Sequence, residues 1–231
     1  MAKQKKNKGD EEVLVDVTQT LSGAERFFEE NRKSITVIFV ALFVIVGGYF
    51  AYLYFYLQPR EKEAQQEIFW AQQYFEQDSL NLALRGDGQH YGFLDIADEY
   101  SGTKAGNLAN YYAGVCYLNQ GEYEKSIALL DEFDSNDPIL GVIAEGAIGD
   151  AFLELDQPKE ALDYYKRAVS GQENNFIVPF YLMKAGMLAE KSGDLKAALK
   201  FYQRIESDFP KSQEATNIQK YIARVEAKNR A

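Results

Sequence analysis

The chain is short of the residues that do chemistry. Of its 231 residues, one is cysteine and one is histidine. Cys116 has no second cysteine to pair with and says little about redox compartment. A zinc site needs three or four ligands, which His90 and Cys116 cannot supply. No Ser-His-acid set can be assembled with any specificity around a lone histidine. Gly86-Asp87-Gly88 lacks the preceding strand and the following Lys-Ser/Thr of a phosphate cradle. The cluster Asp131, Glu132, Asp134 and Asp137 lacks the glycine and closing glutamate of a calcium loop, and reads as a solvated helix end. No alternating apolar-polar run is bounded by turn signals, so strands are not expected. These absences point to a chain that is not an enzyme and that uses no cofactor and no metal.

A different absence is more positive. From Ser34 to Pro59 there is no charged residue, and Ile35 to Leu57 is almost wholly apolar or aromatic. Twenty-three helical residues reach about 34 Å, enough to cross a hydrocarbon core of about 30 Å. A soluble core helix would carry a polar stripe, and this stretch carries none. A cleaved signal peptide is the rival reading. The run is too long for one, follows thirty-odd polar residues and has no small-x-small cleavage site after it. The sequence therefore predicts three parts: a tail over 1–33, a transmembrane helix over 34–58 and a domain over 59–231.

The balance of charge suggests an orientation. Short Lys/Arg-rich segments stay in the cytoplasm. The tail holds Lys3, Lys5, Lys6, Lys8, Arg26, Arg32 and Lys33, whereas only Arg60 and Lys62 lie close on the other side. The expectation is a cytoplasmic N-terminus and a large domain outside, with a reversed, cytoplasm-facing receptor as the alternative. Tyr49, Phe50, Tyr52, Tyr54, Phe55 and Tyr56 suit an interfacial belt at the outer end. From Arg60 onward there are 18 basic and 28 acidic residues. An acidic domain repels phosphate backbones, so nucleic-acid binding is not expected.

Within that domain three segments align. Gly114, Tyr117, Gly121, Tyr123, Ser126, Leu130, Phe133 and Pro138 form the first. Gly149, Phe152, Asp156, Pro158, Ala161, Tyr165 and Ala168 form the second. Gly186, Ala189, Gly193, Leu195, Ala198, Tyr202, Ile205 and Pro210 form the third. Equivalent positions are 35 and then 37 residues apart. A glycine inside a helix costs about 1 kcal/mol against alanine, so three in one register imply a packing need. Ser126, Ala161 and Ala198 recur where helices would cross, and Leu130, Tyr165 and Tyr202 would fill the space between them. Short turns such as Asn119-Gln120-Gly121-Glu122 force antiparallel neighbours. Trp70, Tyr74 and Phe75, then Phe93, Leu94, Ile96 and Ala97, predict an earlier degenerate pair around the 86–88 loop. Ile218, Tyr221, Ile222 and Val225 predict a last, capping helix. The fold class is all-α: one N-terminal transmembrane helix and a helical solenoid of about four pairs.

The period and the small-then-large pattern resemble the tetratricopeptide repeat (TPR). That resemblance implies that the first helix of each pair lines a concave groove. Leu108, Tyr111, Val115 and Leu118 would face it from the first repeat, Ile143, Gly146, Asp150 and Leu153 from the second, and Phe180, Met183, Met187 and Glu190 from the third. Methionines suit a surface that accepts varied partners. Just before the span, Ala24, Phe27, Phe28, Glu30, Asn31 and Lys33 form an Ala-x-x-Phe-Phe-x-Glu-Asn-x-Lys motif. With Leu21 it predicts an amphipathic helix that lies on the membrane or docks a partner, or else a linker that continues the span. Tail, motif, span and degenerate repeats together are similar to the YfgM-like family of bacterial inner-membrane proteins, ancillary subunits of the SecYEG translocon. The resemblance implies repeats in the periplasm, a PpiD-like membrane-anchored chaperone and the SecYEG channel as partners, and emerging polypeptides as clients. The alternative is an inner-membrane TPR adaptor for cell-envelope assembly, unrelated to secretion.

Overall fold

The computed structural model describes residue 29 and residues 31–134 and 137–230; among these the chain is helical, with no strand. It divides into two units, Met1–Gln58 and Pro59–Ala231.

In the first unit, helix α1 spans Arg32–Tyr52 and a π-helical turn follows over Leu53–Leu57. Asn31 precedes α1, and its carbonyl accepts the Ile35 N–H. No residue of α1 is buried, and it is apolar on all sides rather than on one stripe. It belongs to the one helix among the described residues that is long and apolar enough to cross a membrane. Ala24, Phe27, Phe28 and Glu30 of the juxtamembrane motif lie outside the described residues.

Helix α2 (Gln58–Glu76) lies in the second unit from Pro59 onward, and α3 (Leu80–Arg85) and α4 (Phe93–Glu99) follow it there. Three hairpins follow: α5 (Lys104–Asn119) with α6 (Tyr123–Asp131), α7 (Leu140–Glu154) with α8 (Pro158–Val169), and α9 (Ile177–Lys191) with α10 (Leu195–Asp208). A 3-10 turn at Glu214–Asn217 leads into α11 (Ile218–Arg230). The sequence led us to expect two helices around the 86–88 loop; the structure inserts α3 between them. Asp78 at φ 56° ends the preceding turn, and α3 buries Ala83 and Leu84.

Each hairpin closes on one contact. A Cβ added to Gly114 would lie 2.6 Å from the Leu130 side chain, and one added to Gly149 would lie 2.7 Å from the Tyr165 ring. One added to Gly186 would strike the Tyr202 ring. The glycines are thus the holes into which the large residues of the second helix fit. Leu130, Tyr165 and Tyr202 are essentially inaccessible there, as are Ser126, Ala161 and Ala198 one turn earlier. The turns match too: Gly121, Asp156 and Gly193 occupy the same place in each hairpin, all with positive φ. Pro158 sits in the first turn of α8, where its missing N–H is not needed.

Polar clamps hold the segments that leave the hairpins. Asn107 Nδ2 donates to the Asp134 carbonyl at 2.6 Å, and Asp134 N–H donates back to Asn107 Oδ1 at 3.0 Å. Arg204 donates to the carbonyls of Val169 and Gln172, satisfying orphan acceptors at and beyond the end of α8. At the far end α11 buries Ile218, Ile222 and Val225. Its Arg224 and Lys228 reach Glu190 at 2.6 and 2.8 Å, and Tyr202 donates its hydroxyl to the same carboxylate at 3.2 Å. Burial alone would push the Glu190 carboxyl up; the hydrogen bonds and charges of Arg224 and Lys228 outweigh it and hold the group below its usual value.

Three outcomes follow for stability. Gly149→Ala gains about 1 kcal/mol of helix propensity but overpacks the Tyr165 ring at a cost of about 1–3 kcal/mol; denaturation followed by circular dichroism should show a net loss. Ser126 sits where the other repeats have alanine, and its hydroxyl is buried with no hydrogen-bond partner among the described residues. Ser126→Ala should therefore raise stability by about 1 kcal/mol; a loss would mean that the hydroxyl is satisfied. Because Glu190 titrates below its unfolded value, its contribution is complete above about pH 4.3 and is lost as the pH falls through the folded value. Acid, or Glu190→Gln at neutral pH, should speed amide exchange in α11 first.

Candidate partner-binding groove

The first helices of the three hairpins, α5, α7 and α9, are neighbours, with α7 touching both others. Gly146 of α7 makes the second approach possible. A Cβ there would collide with the Tyr181 ring of α9, whose hydroxyl donates to the Ile143 carbonyl at 3.5 Å. A glycine between repeats thus does what Gly114, Gly149 and Gly186 do within them.

The residues expected to line the groove divide by exposure. Leu153 is 38 % exposed, Phe180 41 % and Met187 51 %. Leu108, Tyr111, Val115, Leu118, Ile143 and Met183 are half-buried. Leu108 packs on the N-terminal core around Phe93, while Tyr111, Val115 and Leu118 pack on Leu130, Ala144, Ala147 and Ile148. Met183 packs on the C-terminal core around Tyr165 and Leu182. The half-buried set is therefore partly structural, and a charge placed at Tyr111 or Met183 would strain the fold as well as any surface. Gly146 is buried, and the Glu190 side chain is 7 % exposed and engaged by α11.

Asp150 and Lys184 sit between these side chains. Lys184 Nζ donates to both Asp150 oxygens at 2.7 Å, and Tyr165 donates its hydroxyl to Asp150 at 2.5 Å. The ammonium also lies 4.8 Å from the Phe180 ring centre and 5.5 Å from that of Tyr181. Burial, followed by the Asp150 hydrogen bond, pushes the Tyr165 hydroxyl far up, and burial does the same for Tyr181. Both stay protonated donors at any physiological pH. The charge of Asp150 is compensated on the spot, as is that of Glu190, so this stretch offers exposed apolar side chains around a neutral pair.

Lys184 was missing from the sequence-based set. The signal was there, since Phe180, Lys184 and Met187 follow i, i+4, i+7 along one helix face, whereas Met183 turns toward the core. Phe176, the residue before α9, is also fully presented to solvent. Asn31 and Lys33 stand at the start of α1, in the other unit.

The lone cysteine and the lone histidine are both held in packed positions. Burial pushes the Cys116 thiol up to about 12, and the residue is inaccessible, so it stays an unreactive thiol. His90 stacks on Trp70 with ring centres 4.4 Å apart. No group of three His, Cys, Asp or Glu among the described residues could hold a metal ion.

Residues 108–138 match a tetratricopeptide repeat family, and residues 147–213 match a second one. No curated protein matches the chain. Repeats of this kind are typically non-enzymatic scaffolds that bind protein partners. The three glycine-to-large-residue contacts, Gly114 with Leu130, Gly149 with Tyr165 and Gly186 with Tyr202, all fall inside the matched stretches, and the α5–α10 solenoid is built of tetratricopeptide repeats.

Proposed function

We propose that this protein is a membrane-anchored scaffold that holds a polypeptide segment against α5, α7 and α9. The observation that carries the reading is the row Leu153, Phe180 and Met187, exposed around an Asp150–Lys184 pair that already satisfies itself. Large apolar side chains gathered on one face of a scaffold are what a protein-binding surface presents. With Asp150 and Lys184 satisfying each other, the row offers more to an apolar segment than to a charged terminus. The finer proposal follows the resemblance: an ancillary subunit of the Sec translocon in a bacterial inner membrane, N-terminus cytoplasmic and repeats periplasmic. There it would hold emerging polypeptides beside SecYEG and a PpiD-like chaperone. The seven lysines and arginines of the tail, the apolar helix and the juxtamembrane motif support that placement.

The test is a photo-crosslinking residue at position 187 in the full chain, in living cells. Crosslinks to Sec channel subunits, a PpiD-like chaperone or a chain in transit are expected. Met187→Glu combined with a crosslinker at position 180 should cut the yield about tenfold, the scale of a partner-contacting anchor, while thermal stability stays within about 0.5 kcal/mol. Crosslinks confined to envelope-assembly proteins would leave the scaffold and remove the secretion role. A reporter fused at Ala231 that is active only in the cytoplasm would reverse the topology.

A further inference from the structure

The two ends of the repeat unit are finished differently. At the C-terminal end α11 buries its apolar stripe and turns Lys220, Ala223 and Ala227 outward, as a terminal helix should. At the N-terminal end α2 buries Ala64, Ile68 and Ala71, yet Phe69 is 52 % and Trp70 42 % exposed. The two rings meet edge to face at 5.5 Å, and the other partner of Trp70 is the His90 ring, stacked at an interplanar angle of 16°.

The stack is held still. The Asp87 carboxylate accepts the N–H groups of Gln89 and His90 and the Tyr74 hydroxyl, each at 2.8 Å. Glu67 accepts the Tyr91 N–H at 3.1 Å and faces His90 Nδ1 at 3.6 Å. The loop over 86–92 is thus pinned to α2 from both sides, which sets the His90 ring against Trp70 before any partner arrives. Solvent-facing Trp and Phe are among the residue types enriched where proteins meet.

Charge decides what can cover them. The carboxylates at the stack are Glu67 and Asp87, and the groups that Asp87 holds are N–H and O–H donors. Those hydrogen bonds, His90 N–H first, pull its pKa down to about 2, so the negative charge is permanent. The exposed neighbours on α2, Gln65 and Gln66, are neutral. A second copy would set Glu67 and Asp87 against themselves, in a chain whose net charge is already −10. An anionic bilayer surface would be repelled in the same way. A cationic segment is attracted by the rim and offered a ring face.

We infer that the Phe69–Trp70–His90 surface of α2 docks a basic segment of a partner protein, one carrying an apolar or aromatic anchor between lysines or arginines. This surface lies on a different helix from the α5–α7–α9 row and does not depend on that reading.

Trp70 is the only tryptophan in the chain, so its emission reports this surface alone. The full chain is placed in phosphatidylcholine liposomes and titrated with two tryptophan-free peptides. They share one Leu-Phe core, flanked by lysines in one and by glutamates in the other. The lysine peptide is expected to shift Trp70 emission to shorter wavelength, saturably and less tightly as salt rises. The glutamate peptide should bind at least ten times more weakly. Phe69→Ser should weaken the lysine peptide about tenfold, Gln66→Lys about threefold, and Gln66→Glu should tighten it, with unchanged circular dichroism. Met187→Glu should leave this titration as it was, which separates failure here from failure of the groove. Equal binding of the two peptides, or no shift with either, overturns the inference. A shift on raising the protein-to-lipid ratio would assign the surface to a second copy, and one on adding phosphatidylserine would assign it to lipid; either overturns it too.

Discussion

How closely two helices of a hairpin approach is set by one glycine and one large side chain, and the rest of the solenoid inherits that distance. Gly114, Gly149 and Gly186 each cost about 1 kcal/mol in helix propensity. The Leu or Tyr seated against each glycine recovers about 1.5–3 kcal/mol by burial, so the exchange is favourable wherever the fit is close. It is close at all three places, because a single added Cβ would already collide with the seated side chain. Ser126, Ala161 and Ala198 keep the second helix narrow one turn before its knob. The pair therefore works from both sides: a hole on one helix, and a small residue that lets the knob's own helix reach it.

The nature of the knob then decides what appears on the first helix. Tyr165 and Tyr202 are long enough to carry a hydroxyl past the glycine to a carboxylate on the helix they pack against, Asp150 and Glu190 respectively. Leu130 carries nothing and leaves no such pair in the first hairpin. Each carboxylate draws a cation from the next element: Lys184 of α9 for Asp150, Arg224 and Lys228 of α11 for Glu190. Packing inside one hairpin thereby sets the electrostatic contact with its neighbour. Lys184, Phe180 and Met187 share a face because the cation and the apolar row ride on one helix.

Much of this was legible in the sequence. The three hairpins, their turns and the glycine-to-large register could be read because one pattern repeats at 35 and 37 residues, and a repeated cost implies a repeated cause. The apolar helix was legible because nothing polar interrupts it. The six residues of α3 were not, being too few to show a helical period, and their start depends on Asp78 holding a positive φ that Asp does not signal. For the candidate groove, the sequence could name helices but not which of their side chains stay exposed. Register alone put Met183 and Tyr111 beside Phe180 and Met187, but neighbouring helices cover part of every such row, and the sequence does not say which part. The spacing places Lys184 on the face of Phe180 and Met187, but its pairing with Asp150, 34 residues away, is not written in any local pattern. The Trp70–His90 stack depends on a loop closure that no local pattern encodes.

The distribution of charge distinguishes the two surfaces proposed to bind partners. The repeat unit is strongly acidic, yet Asp150 and Lys184 of the α7–α9 row satisfy each other, whereas the α2 surface keeps Asp87 beside exposed rings with only N–H and O–H donors on it. Long-range attraction depends on net charge and acts before contact, whereas apolar fit acts only after water is expelled. A row built around a self-satisfied pair steers a ligand weakly and relies on fit, so it suits segments that vary in sequence. A carboxylate-rimmed aromatic surface does both, so it suits one partner held in a fixed place. A scaffold that keeps a constant neighbour at α2 while varied segments pass the row would need the chemistry that these two faces present.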